Sequence, residues 1–564
     1  MLGYEYIFPP PEAVALRRQQ LDATGFQAWL SPFALLLCSY LLRRPSSSSS
    51  STSPPAPSTT ANKPPTTLQM QTRRLTWLLH SPTHRELGPL LLPLLVFFYT
   101  LHLLHLATRH TSPDYLHLTK SLGHVAASQL PWQYLLALKS PNSPVTLATG
   151  LSHVRLNALH RVFGRVVHGL LAAHAVLYLR FFVEVGVLAK RVGDWDVRLG
   201  VLGFWAFNVL GALALPGMRR RMYFSGFYRA HVLLSAGVLV VLWAHVVHSR
   251  RYVAQAGVVW VVNGWLRWRA EREVVGVEVK EVVERGGELV RARLVLGEGR
   301  GLGGWVPGQH VYLRMGGSLG LLARKNPFTV VQADERSGRI MLVVRKLGGM
   351  TAALGDSKSS KELGEIKLEG PYGEAAEYLP PILRAGKGAG QVLLVAGGVG
   401  ATYTVPIYLA LLRARGDTSG VKMLWFVKLQ SEVDWALELF KEAGKALDID
   451  AYVTQASSTS TTQPSAATGI KGLSIQALGK RPDIQSVLEP IISPKSDAGN
   501  GGLVSGSAAK RNPEAVKKSY GKLTVMVCGP PSLSKSLRSE VGKHVMGYGR
   551  EVAWYEEQFG FGGS

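Results

Sequence analysis

The chain has 564 residues, of which 46% are hydrophobic and only 18% charged, and its formal net charge is +25 at pH 7. This length allows several domains, and the low charged fraction, with apolar residues clustered in the first half, argues against a uniformly soluble protein. The basic excess suits nucleic acid, anionic lipid or phosphate-bearing cofactors, but the basic residues flank apolar segments and no nucleic-acid motif occurs, so we expect membrane and cofactors and no nucleic acid. Cys38 and Cys528 are too few for a disulfide framework or a four-thiolate metal site.

Residues 26–42 form the first of seven apolar segments of about membrane-spanning length. This segment lacks the basic start and the small-residue cleavage site of a signal peptide, so it is predicted to remain as a span. A Ser/Thr/Pro-rich cytosolic linker is predicted for residues 43–86, because such a composition cannot bury a core. The other six segments cover residues 87–107, 121–138, 160–183, 199–218, 224–248 and 252–268.

The placement of Lys and Arg predicts how these segments are oriented. Basic residues concentrate in the predicted linker, in the link at residues 219–221 and directly behind the last segment, and all three places share one side if every segment crosses. That side is predicted to be the cytosol, so residues 1–42 comprise a short extracellular N-terminus and the first transmembrane helix. Arg250 and Arg251 depart from the rule.

From about residue 271 the sequence pattern changes. Apolar and polar residues alternate, as in half-buried strands, and from Gln391 a strand, a glycine turn and an apolar helix follow one another, which is typical of a parallel α/β unit. The predicted fold class is multi-domain: an α-helical transmembrane bundle of about seven helices, then a β domain, then an α/β domain. The predicted boundaries are 87–270, 271–385 and 386–564, with exposed, disordered insertions near 456–470 and 493–515.

Four histidines repeat one spacing on two predicted spans. His160 and His174 lie on one span, His231 and His245 on the other, and each pair is 14 residues apart. Fourteen residues of α-helix rise by about 21 Å and turn through about 1400°, roughly 40° short of four turns. The histidines of a pair therefore lie on nearly the same face at two depths, and two such helices side by side would place imidazoles opposite each other at two levels.

Each level suits one haem held by two imidazoles. Any single histidine is ordinarily a core or helix-end residue, but intramembrane ionisable residues are costly and usually functional, and the repeated spacing is hard to reach by chance. One tetrahedral zinc site is excluded by the axial separation. His168, about 80° around the helix from His160, and His248, at the membrane edge, are not predicted as ligands. Two imidazoles leave no open position on iron, which favours electron transfer.

The predicted topology assigns the histidines to two haems. The first members of the two pairs share an inner haem on the cytosolic side, and the second members share an outer haem. Near the inner end lie Arg161, Arg165 and Arg229. These arginines suit haem propionates and equally suit ordinary positive-inside charge, so both interpretations stay open.

The β domain carries "VPGQHVYLRM", "RKNPFTVVQ" and "VVRKLGGMT", which are a strand, a Pro–aromatic–Thr turn and a basic glycine turn. An aromatic ring such as Phe328 packs on an isoalloxazine, and a hydroxyl such as Thr329 hydrogen-bonds its polar edge. Backbone donors around residues 348–351, with Arg345 nearby, suit a pyrophosphate. Taken alone, each feature is also explained by an ordinary turn.

The α/β domain carries "LLVAGGVGAT", which follows an apolar run and opens an apolar helix. Glycines in this context let the backbone approach a phosphate at the helix N-terminus. A second strand ends in "CGPP", where Cys528 is either a buried strand-end thiol or a neighbour of the nicotinamide. The order of the motifs favours the second interpretation.

The chain resembles the fungal ferric/cupric-chelate reductases, within a superfamily that includes the NADPH oxidases. The resemblance covers about residues 87–561 and rests jointly on the two histidine pairs, "NPFT", "VRKLGGMT", "GPYG", "GGVGAT", "CGPP" and the C-terminal "YEEQFGF". It implies FAD on an antiparallel β-barrel, NADPH or NADH on a ferredoxin-reductase-like α/β domain, and two b-type haems in the membrane.

The resemblance implies roles for individual residues. The implied haem ligands are His160, His174, His231 and His245. The implied flavin contacts are Asn326, Pro327, Phe328 and Thr329, with Arg345, Gly348, Gly349 and Thr351 at the pyrophosphate. The implied nicotinamide-nucleotide contacts are Gly397, Gly398, Gly400, Thr402, Cys528, Gly529 and Pro530. Phe559 resembles the aromatic residue that covers the flavin until nicotinamide displaces it. The catalytic residues that the resemblance implies are Phe328, Thr329, Cys528 and Phe559. Lys428 either contacts a 2′-phosphate, which favours NADPH, or is an ordinary exposed lysine.

Two features depart from the family pattern. The flavin motif usually begins with His, and Asn326 stands there, close to Arg324 and Lys325. The predicted extracellular N-terminus has only about 25 residues, too few for a substrate domain. Any metal-chelate site is therefore expected in the outer loops at residues 109–120 and 184–198.

These expectations combine into electron transfer from cytosolic NADPH, through FAD and two b-type haems, to an extracellular ferric or cupric chelate. The expected location is the plasma membrane, with partners in iron or copper uptake. A superoxide-generating NADPH oxidase has the same parts, but the extra N-terminal span, the Ser/Thr/Pro linker and the lack of a calcium-loop pattern favour the reductase. A non-catalytic scaffold or regulator is the third alternative, supported only by Asn326.

Overall fold

The computed structural model describes residues 3–43, 66–84, 88–140, 143–222, 226–281, 289–297, 301–316, 325–356, 363–455, 469–493 and 521–557. The chain divides into two compact units. The first contains residues 1–50 and 79–270, and the second contains residues 51–78, 271–317 and 325–564. Each unit is described by itself.

The part of the chain before residue 271 is mainly helical. Its α-helices are α1 (Pro11–Arg43), α2 (Thr67–Leu79), α3 (Leu91–Thr108), α4 (Tyr115–Ser128), α5 (Leu130–Leu135), α6 (Pro144–Thr149), α7 (His153–Glu184), α8 (Leu188–Val192), α9 (Trp195–Leu213), α10 (Pro216–Met222), α11 (Tyr228–His245) and α12 (Arg250–Arg269). A short antiparallel pair, β1 (Pro82–His84) and β2 (Gly88–Pro89), precedes α3.

Two helices of the first unit begin at residues that cap them. The Asp114 carboxylate accepts a hydrogen bond from the backbone N–H of His117 at the start of α4 (3.0 Å). The Ser152 hydroxyl accepts one from the backbone N–H of Arg155 at the start of α7 (3.4 Å). Short polar side chains satisfy backbone donors that have no partner within the helix.

Four described helices, α3, α7, α9 and α11, are long and apolar enough to cross a membrane. The predicted segment at residues 26–42 lies within α1, and the one at 252–268 lies within α12. The segment at 121–138 is broken between α4 and α5, and Pro131 occupies the first turn of α5, where its missing N–H leaves no bond unmade. The predicted number of seven spans therefore stays a prediction.

The first unit buries small and aliphatic side chains at its centre and exposes large apolar ones outward. A cluster that includes Leu103, Val125 and Phe163 joins α1, α3, α4 and α7. By contrast, Phe98 on α3 is 64% exposed and Trp205 on α9 is 62% exposed. Large exposed apolar side chains on long helices are expected where lipid replaces water as the solvent.

The second unit begins with a closed antiparallel barrel of order β3-β4-β7-β6-β5-β8. Its strands are β3 (Glu271–Glu281), β4 (Leu289–Leu296), β5 (His310–Met315), β6 (Lys325–Asp334), β7 (Arg339–Arg345) and β8 (Ile366–Tyr372). The barrel encloses a cluster of aliphatic residues with Phe328 among them. The predicted β domain is thus confirmed as a six-stranded barrel, which has no open edge in need of cover.

A six-stranded parallel sheet of order β12-β11-β10-β9-β13-β14 follows. Its strands are β9 (Gln391–Gly397), β10 (Val421–Val427), β11 (Ile449–Val453), β12 (Leu473–Ala477), β13 (Leu523–Cys528) and β14 (Val552–Glu557). The helices after β6 are α13 (Met350–Asp356), α14 (Ala375–Ala385), α15 (Ala401–Arg415), α16 (Asp434–Ala443), α17 (Ile484–Ile492) and α18 (Pro531–Tyr548). The predicted α/β domain is confirmed.

The strand order reverses beside β9, because β10 lies on one side of it and β13 on the other. Open α/β sheets bind ligands in the crevice at the carboxyl ends of the strands at such a point. The glycine turn after β9 and the "CGPP" turn after β13 both lie there. The fold therefore brings together the two predicted nucleotide motifs, which are about 130 residues apart in sequence.

The linker predicted for residues 43–86 contains a helix, because α2 occupies residues 67–79. The Thr66 hydroxyl accepts from the backbone N–H of Gln69 (3.2 Å), and the Gln69 side chain accepts from the backbone N–H of Thr66 (3.0 Å). This reciprocal pair is a capping box that starts a helix. Linker residues 44–65 and nearly all of both predicted insertions lie outside the described residues.

A Gly400→Ala substitution is expected to destabilise the second unit by about 1–3 kcal/mol, because it overpacks two backbone turns. A Cβ at residue 400 would lie 2.7 Å from the Cys528 carbonyl carbon and closer still to its oxygen. Urea unfolding of the purified protein measures the effect. Gly388→Ala is the matched control, since a Cβ there meets nothing within 4 Å. Equal stability of the two variants would contradict the predicted contact.

Candidate functional site

The glycine turn after β9 and the turn after β13 lie in direct backbone contact. A Cβ at Gly397 would lie 2.6 Å from Pro530 Cδ, and a Cβ at Gly529 would lie 3.0 Å from the Gly397 backbone nitrogen. Gly398 has a φ of +55°, a conformation that favours glycine. The Thr402 hydroxyl donates to the Val399 carbonyl (2.9 Å). The half-buried glycine turn at residues 397–399, which leads into α15, thus lies at the sheet crevice, where its backbone suits a phosphate.

The predicted flavin motif occupies the start of β6. Asn326 Oδ1 and Thr329 Oγ1 are buried, and among the described residues neither has a hydrogen-bond partner. Buried polar atoms without partners are uncommon and point to a missing polar ligand. Both atoms therefore fit hydrogen bonds to the edge of a flavin, including the atom of Asn326 that stands where the family has His.

Phe328 packs mainly into the core of the barrel. Its side chain is only 8% exposed and belongs to the aliphatic core of the barrel. The alternation of β6 directs this ring inward, so little of it is free to cover an isoalloxazine. Pro327, next to it, is half-buried.

The predicted pyrophosphate turn has the backbone form that glycines permit. Gly348 has a φ of +151° and Gly349 of +57°. The Thr351 hydroxyl accepts from the backbone N–H groups of Leu347 (3.1 Å) and Gly348 (3.2 Å), which fixes the turn. The turn is exposed and precedes the short helix α13.

Arg345 forms an ion pair beside the glycine turn of the α/β domain. Its guanidinium donates to Glu432 Oε1 (2.8 Å) and lies 3.4 Å from where a Cβ would stand at Gly398. The other oxygen of Glu432 accepts from the backbone N–H of Lys428 (3.0 Å). Arg345 thus joins the barrel to the glycine turn of the α/β domain through the Glu432 carboxylate, which lies outside the predicted motifs.

Lys428 directly follows β10, beside the nucleotide turn, and is exposed. An exposed lysine at the carboxyl end of this strand is compatible with a 2′-phosphate contact and with a solvated side chain. Phe559, the fourth predicted catalytic residue, lies outside the described residues.

Glu557 and His310 are site residues that sequence reasoning missed. Glu557 ends β14 directly beside Cys528 in the sheet register, and its Oε1 is 3.6 Å from His310 Nδ1. His310 in turn is paired with Thr329 between β5 and β6. The two residues lie in the motifs "PGQH" and "YEEQF". Only the pairing of strands in the folded chain brings Glu557 beside Cys528 and His310 beside Thr329.

Burial changes the ionisation of this cluster. It raises the pKa of the Glu557 carboxyl to about 8, and repulsion from Glu374 adds to the effect. Burial, reinforced by Glu557 and Glu556, raises the pKa of the Cys528 thiol well above its ordinary range. At neutral pH both side chains are therefore uncharged. The cluster presents a neutral acid and a neutral thiol at the carboxyl end of β13.

Three of the four predicted haem ligands share one hydrogen-bond pattern. Their Nδ1 atoms contact backbone carbonyl oxygens on neighbouring helices: His160 contacts Gln133 (2.9 Å), His174 contacts Thr119 (2.8 Å) and His245 contacts Asp196 (2.7 Å). A carbonyl oxygen only accepts, so Nδ1 carries the proton and donates. Such a bond fixes the tautomer and leaves Nε2 as the basic, metal-ligating nitrogen.

The inner pair is brought together directly. The ring centroids of His160 and His231 are 6.2 Å apart, with planes at 76°. Two imidazoles on opposite sides of one metal, each nitrogen about 2 Å from it, need roughly this separation. The Nδ1 atom of His231 is buried and has no hydrogen-bond partner among the described residues. The residues present therefore fit a bis-imidazole metal.

The outer pair lies against glycines. A Cβ at Gly123 would lie 2.7 Å from the His174 ring, and a Cβ at Gly200 would lie 2.7 Å from the His245 ring. Each ring is thus seated where a neighbouring helix lacks a side chain. His168 instead lies 3.0 Å from Asn208 through Nε2 and Oδ1, a contact between α7 and α9. Within the described residues, no group of three or more His, Cys, Asp or Glu side chains forms a further metal site.

Family models match all three parts of the chain. A ferric reductase like transmembrane component matches residues 122–242, an FAD-binding domain residues 291–376, and a ferric reductase NAD binding domain residues 390–542. The first match together with the four apolar helices identifies an integral membrane protein.

Fungal reductases are similar to the chain over much of its length. A probable cell surface ferric reductase kap2 of Aspergillus oryzae is 26% identical over 364 residues, 56% of this chain and 44% of that protein. Ferric/cupric reductase transmembrane component 2 of Saccharomyces cerevisiae is 23% identical over 468 residues, 78% of this chain and 60% of that protein. The chain thus spans about half of the length of these relatives.

Solved structures match more weakly. Flavohemoglobin from Malassezia yamatoensis is 14% identical, with a TM-score of 0.36 over 78% of this chain and 97% of that one. The Amycolatopsis cytochrome P450 reductase GcoB is 18% identical, with a TM-score of 0.34 over 51% of this chain and 69% of that one. Neither similarity bears on function. The transmembrane component, the FAD-binding barrel and the NAD-binding domain follow one another in a single chain, which therefore belongs to the fungal ferric reductase family.

Proposed function

We propose that the chain carries electrons across a membrane from cytosolic NADPH to an extracellular ferric or cupric chelate, with FAD and two b-type haems as resident cofactors. The proposed domains are residues 87–270 for the haems, 271–385 for FAD and 386–564 for the nucleotide. The observation that carries the proposal is the set of Nδ1–carbonyl hydrogen bonds at His160, His174 and His245, because it prepares Nε2 as a ligand at two levels.

When bound, FAD converts hydride transfer into single-electron transfer, and haems with two imidazoles relay single electrons. The chain's own residues supply orientation and electrostatics. Thr329 and Asn326 offer unpaired buried oxygens to the flavin edge. The two glycine turns let the polypeptide backbone approach the dinucleotide. Cys528 supplies an uncharged thiol where nicotinamide and flavin would meet.

Glu557 holds a proton beside this meeting point. Because its pKa is raised to about 8, the side chain is protonated at the neutral pH of the cytosol. A carboxylate there would repel the negative charge that arrives with a hydride. The protonated acid removes that repulsion, and the His310 imidazole lies 3.6 Å from its Oε1.

The names of similar proteins support the proposed electron acceptor and the proposed membrane. Similar proteins are named cell surface ferric reductase and ferric/cupric reductase, which supports a metal chelate as acceptor, the plasma membrane as location and partners in metal uptake. Basic residues behind the last predicted span support a cytosolic position for the second unit, with the N-terminus outside. Lys428, directly after β10, offers a cation for the 2′-phosphate that distinguishes NADPH from NADH.

Membranes containing the protein are expected to give a b-type haem signal in a reduced-minus-oxidised spectrum, and NADPH is expected to drive reduction of external ferric chelate. Superoxide is measured in the same assay. Without a haem band the proposal fails; a haem band with superoxide and no reduction of iron or copper would assign the chain to the oxidases. A protein that binds neither haem nor FAD would be a scaffold.

Replacing His174 with Ala is expected to lower ferric-chelate reduction at least about 100-fold, since loss of a partner to a ligand already costs 10–100-fold. NADPH-driven reduction of a soluble dye by the flavin should not change. The matched control is His168→Gln on the same helix, whose side chain contacts Asn208. Normal ferric reduction by the His174 variant would disprove the ligand assignment.

The Glu557→Gln variant is expected to lose a pH dependence. In the wild type, flavin reduction by NADPH should slow as the pH rises through about 8, because Glu557 is neutral below this value and charged above it. The variant should keep its rate across this range. Stopped-flow measurement from pH 6 to pH 9.5 gives the profiles, with exposed Glu442→Gln as the control. Identical profiles for all three proteins would contradict the assigned role.

A further inference from the structure

Helix α2 docks on the NAD-binding domain through one face. Between residues 67 and 77, the partly buried residues of this helix are Met70, Arg73, Arg74 and Trp77. Their i, i+3, i+4, i+7 spacing places them on one side of the helix. The Arg73 guanidinium donates to the Gly549 carbonyl (2.9 Å) and to Glu551 Oε2 (2.9 Å). These partners lie between α18 and β14, more than 470 residues further along the chain.

Trp77 secures the other end of this contact. The Arg538 guanidinium lies 4.1 Å from the centroid of the Trp77 ring and 5.1 Å from that of Trp554, so it is held between two indoles. It also donates to the Trp77 carbonyl (3.2 Å). A Cβ at Gly542 would lie 3.1 Å from the Trp77 indole nitrogen, so the glycine gives the ring its place. The helix is therefore a built-in part of the second unit.

The opposite face of α2 carries an exposed row of leucines. Leu68 is 73% exposed, Leu75 is 57% exposed and Leu78 is 47% exposed. At about 100° per residue these three side chains fall within roughly 80° of one another; Leu68 and Leu75 point away from the docked face and Leu78 lies at its border. A helix with one face bound to protein and a second, apolar face exposed to solvent calls for a second partner.

We propose that this leucine face inserts into the lipid interface of the membrane, so that α2 joins the NAD-binding domain to the membrane surface. The chain itself supports this partner. Helix α2 ends at Leu79, and α3, one of the helices able to cross a membrane, begins at Leu91. The intervening residues span at most about 40 Å. The leucines are thus tethered close to a bilayer.

The composition of the helix fits the same partner. A surface-lying membrane helix presents leucines to the acyl boundary and basic residues beside them to anionic headgroups. The leucine face of α2 fits the acyl boundary, while Arg73 and Arg74 are held against the NAD-binding domain. The proposal does not depend on the redox chemistry, because it concerns only where the helix lies.

The test places an environment-sensitive fluorophore on the leucine face. In a Cys38→Ser background, Leu75→Cys is labelled; Cys528 is 1% exposed and stays unlabelled. The protein is reconstituted in nanodiscs of phosphatidylcholine and phosphatidylserine, with and without lipid spin-labelled near the headgroup. The Leu75 label is expected to be quenched by the spin-labelled lipid. Phe98→Cys on α3 is the positive control, and Lys387→Cys on the second unit is the aqueous control.

A Leu75 label that stays as bright as the Lys387 label, while the Phe98 label is quenched, would overturn the proposal. Quenching seen only when one disc holds two labelled chains would also overturn the proposal, because it would indicate contact between two copies of the chain. Leu78→Cys repeats the measurement in case the first substitution disturbs the helix. Because the readout is fluorescence, a protein with no reductase activity gives the same answer.

Discussion

The hydrogen bonds from histidine Nδ1 to backbone carbonyls of neighbouring helices underlie the arrangement of the first unit. A polar ring among apolar helices is costly unless each nitrogen has a partner. Here one nitrogen of His160, His174 and His245 is satisfied by α5, α4 and α9 respectively. The same bonds therefore position helices against each other and hold the second nitrogen of each ring ready for a metal.

In the second unit, the fold brings the proposed binding sites of two cofactors close together. The strand order of the sheet brings the turns after β9 and β13 into contact, and glycine is required because a side chain at 400 would strike the Cys528 carbonyl. The adjacent strand then adds Glu557 beside Cys528. A neutral acid, a neutral thiol and unpaired oxygens at Asn326 and Thr329 thus surround the place where hydride transfer is proposed.

The fold class could be predicted from the sequence, because periodicity and glycine turns are local signals, and the same kind of signal selected the candidate site residues, which stay predictions. Glu557 and His310 could not be found, since only strand register sets one beside Cys528 and the other beside Thr329. The orientation of Phe328 into the core and the Arg345–Glu432 pair are likewise tertiary. Helix α2 was missed because its surroundings are rich in Ser, Thr and Pro, and because its partner surface is remote in sequence.

The remote partner of α2 also orders events in time. Arg73 and its acceptor at Gly549 are separated by 476 positions, and at about 5–20 residues per second a ribosome needs roughly half a minute to a minute and a half to make that stretch. During this interval α2 has already been synthesised but α18 and β14 have not. The second unit therefore closes only when β14 emerges, so a prematurely terminated chain leaves Trp77 and Met70 uncovered.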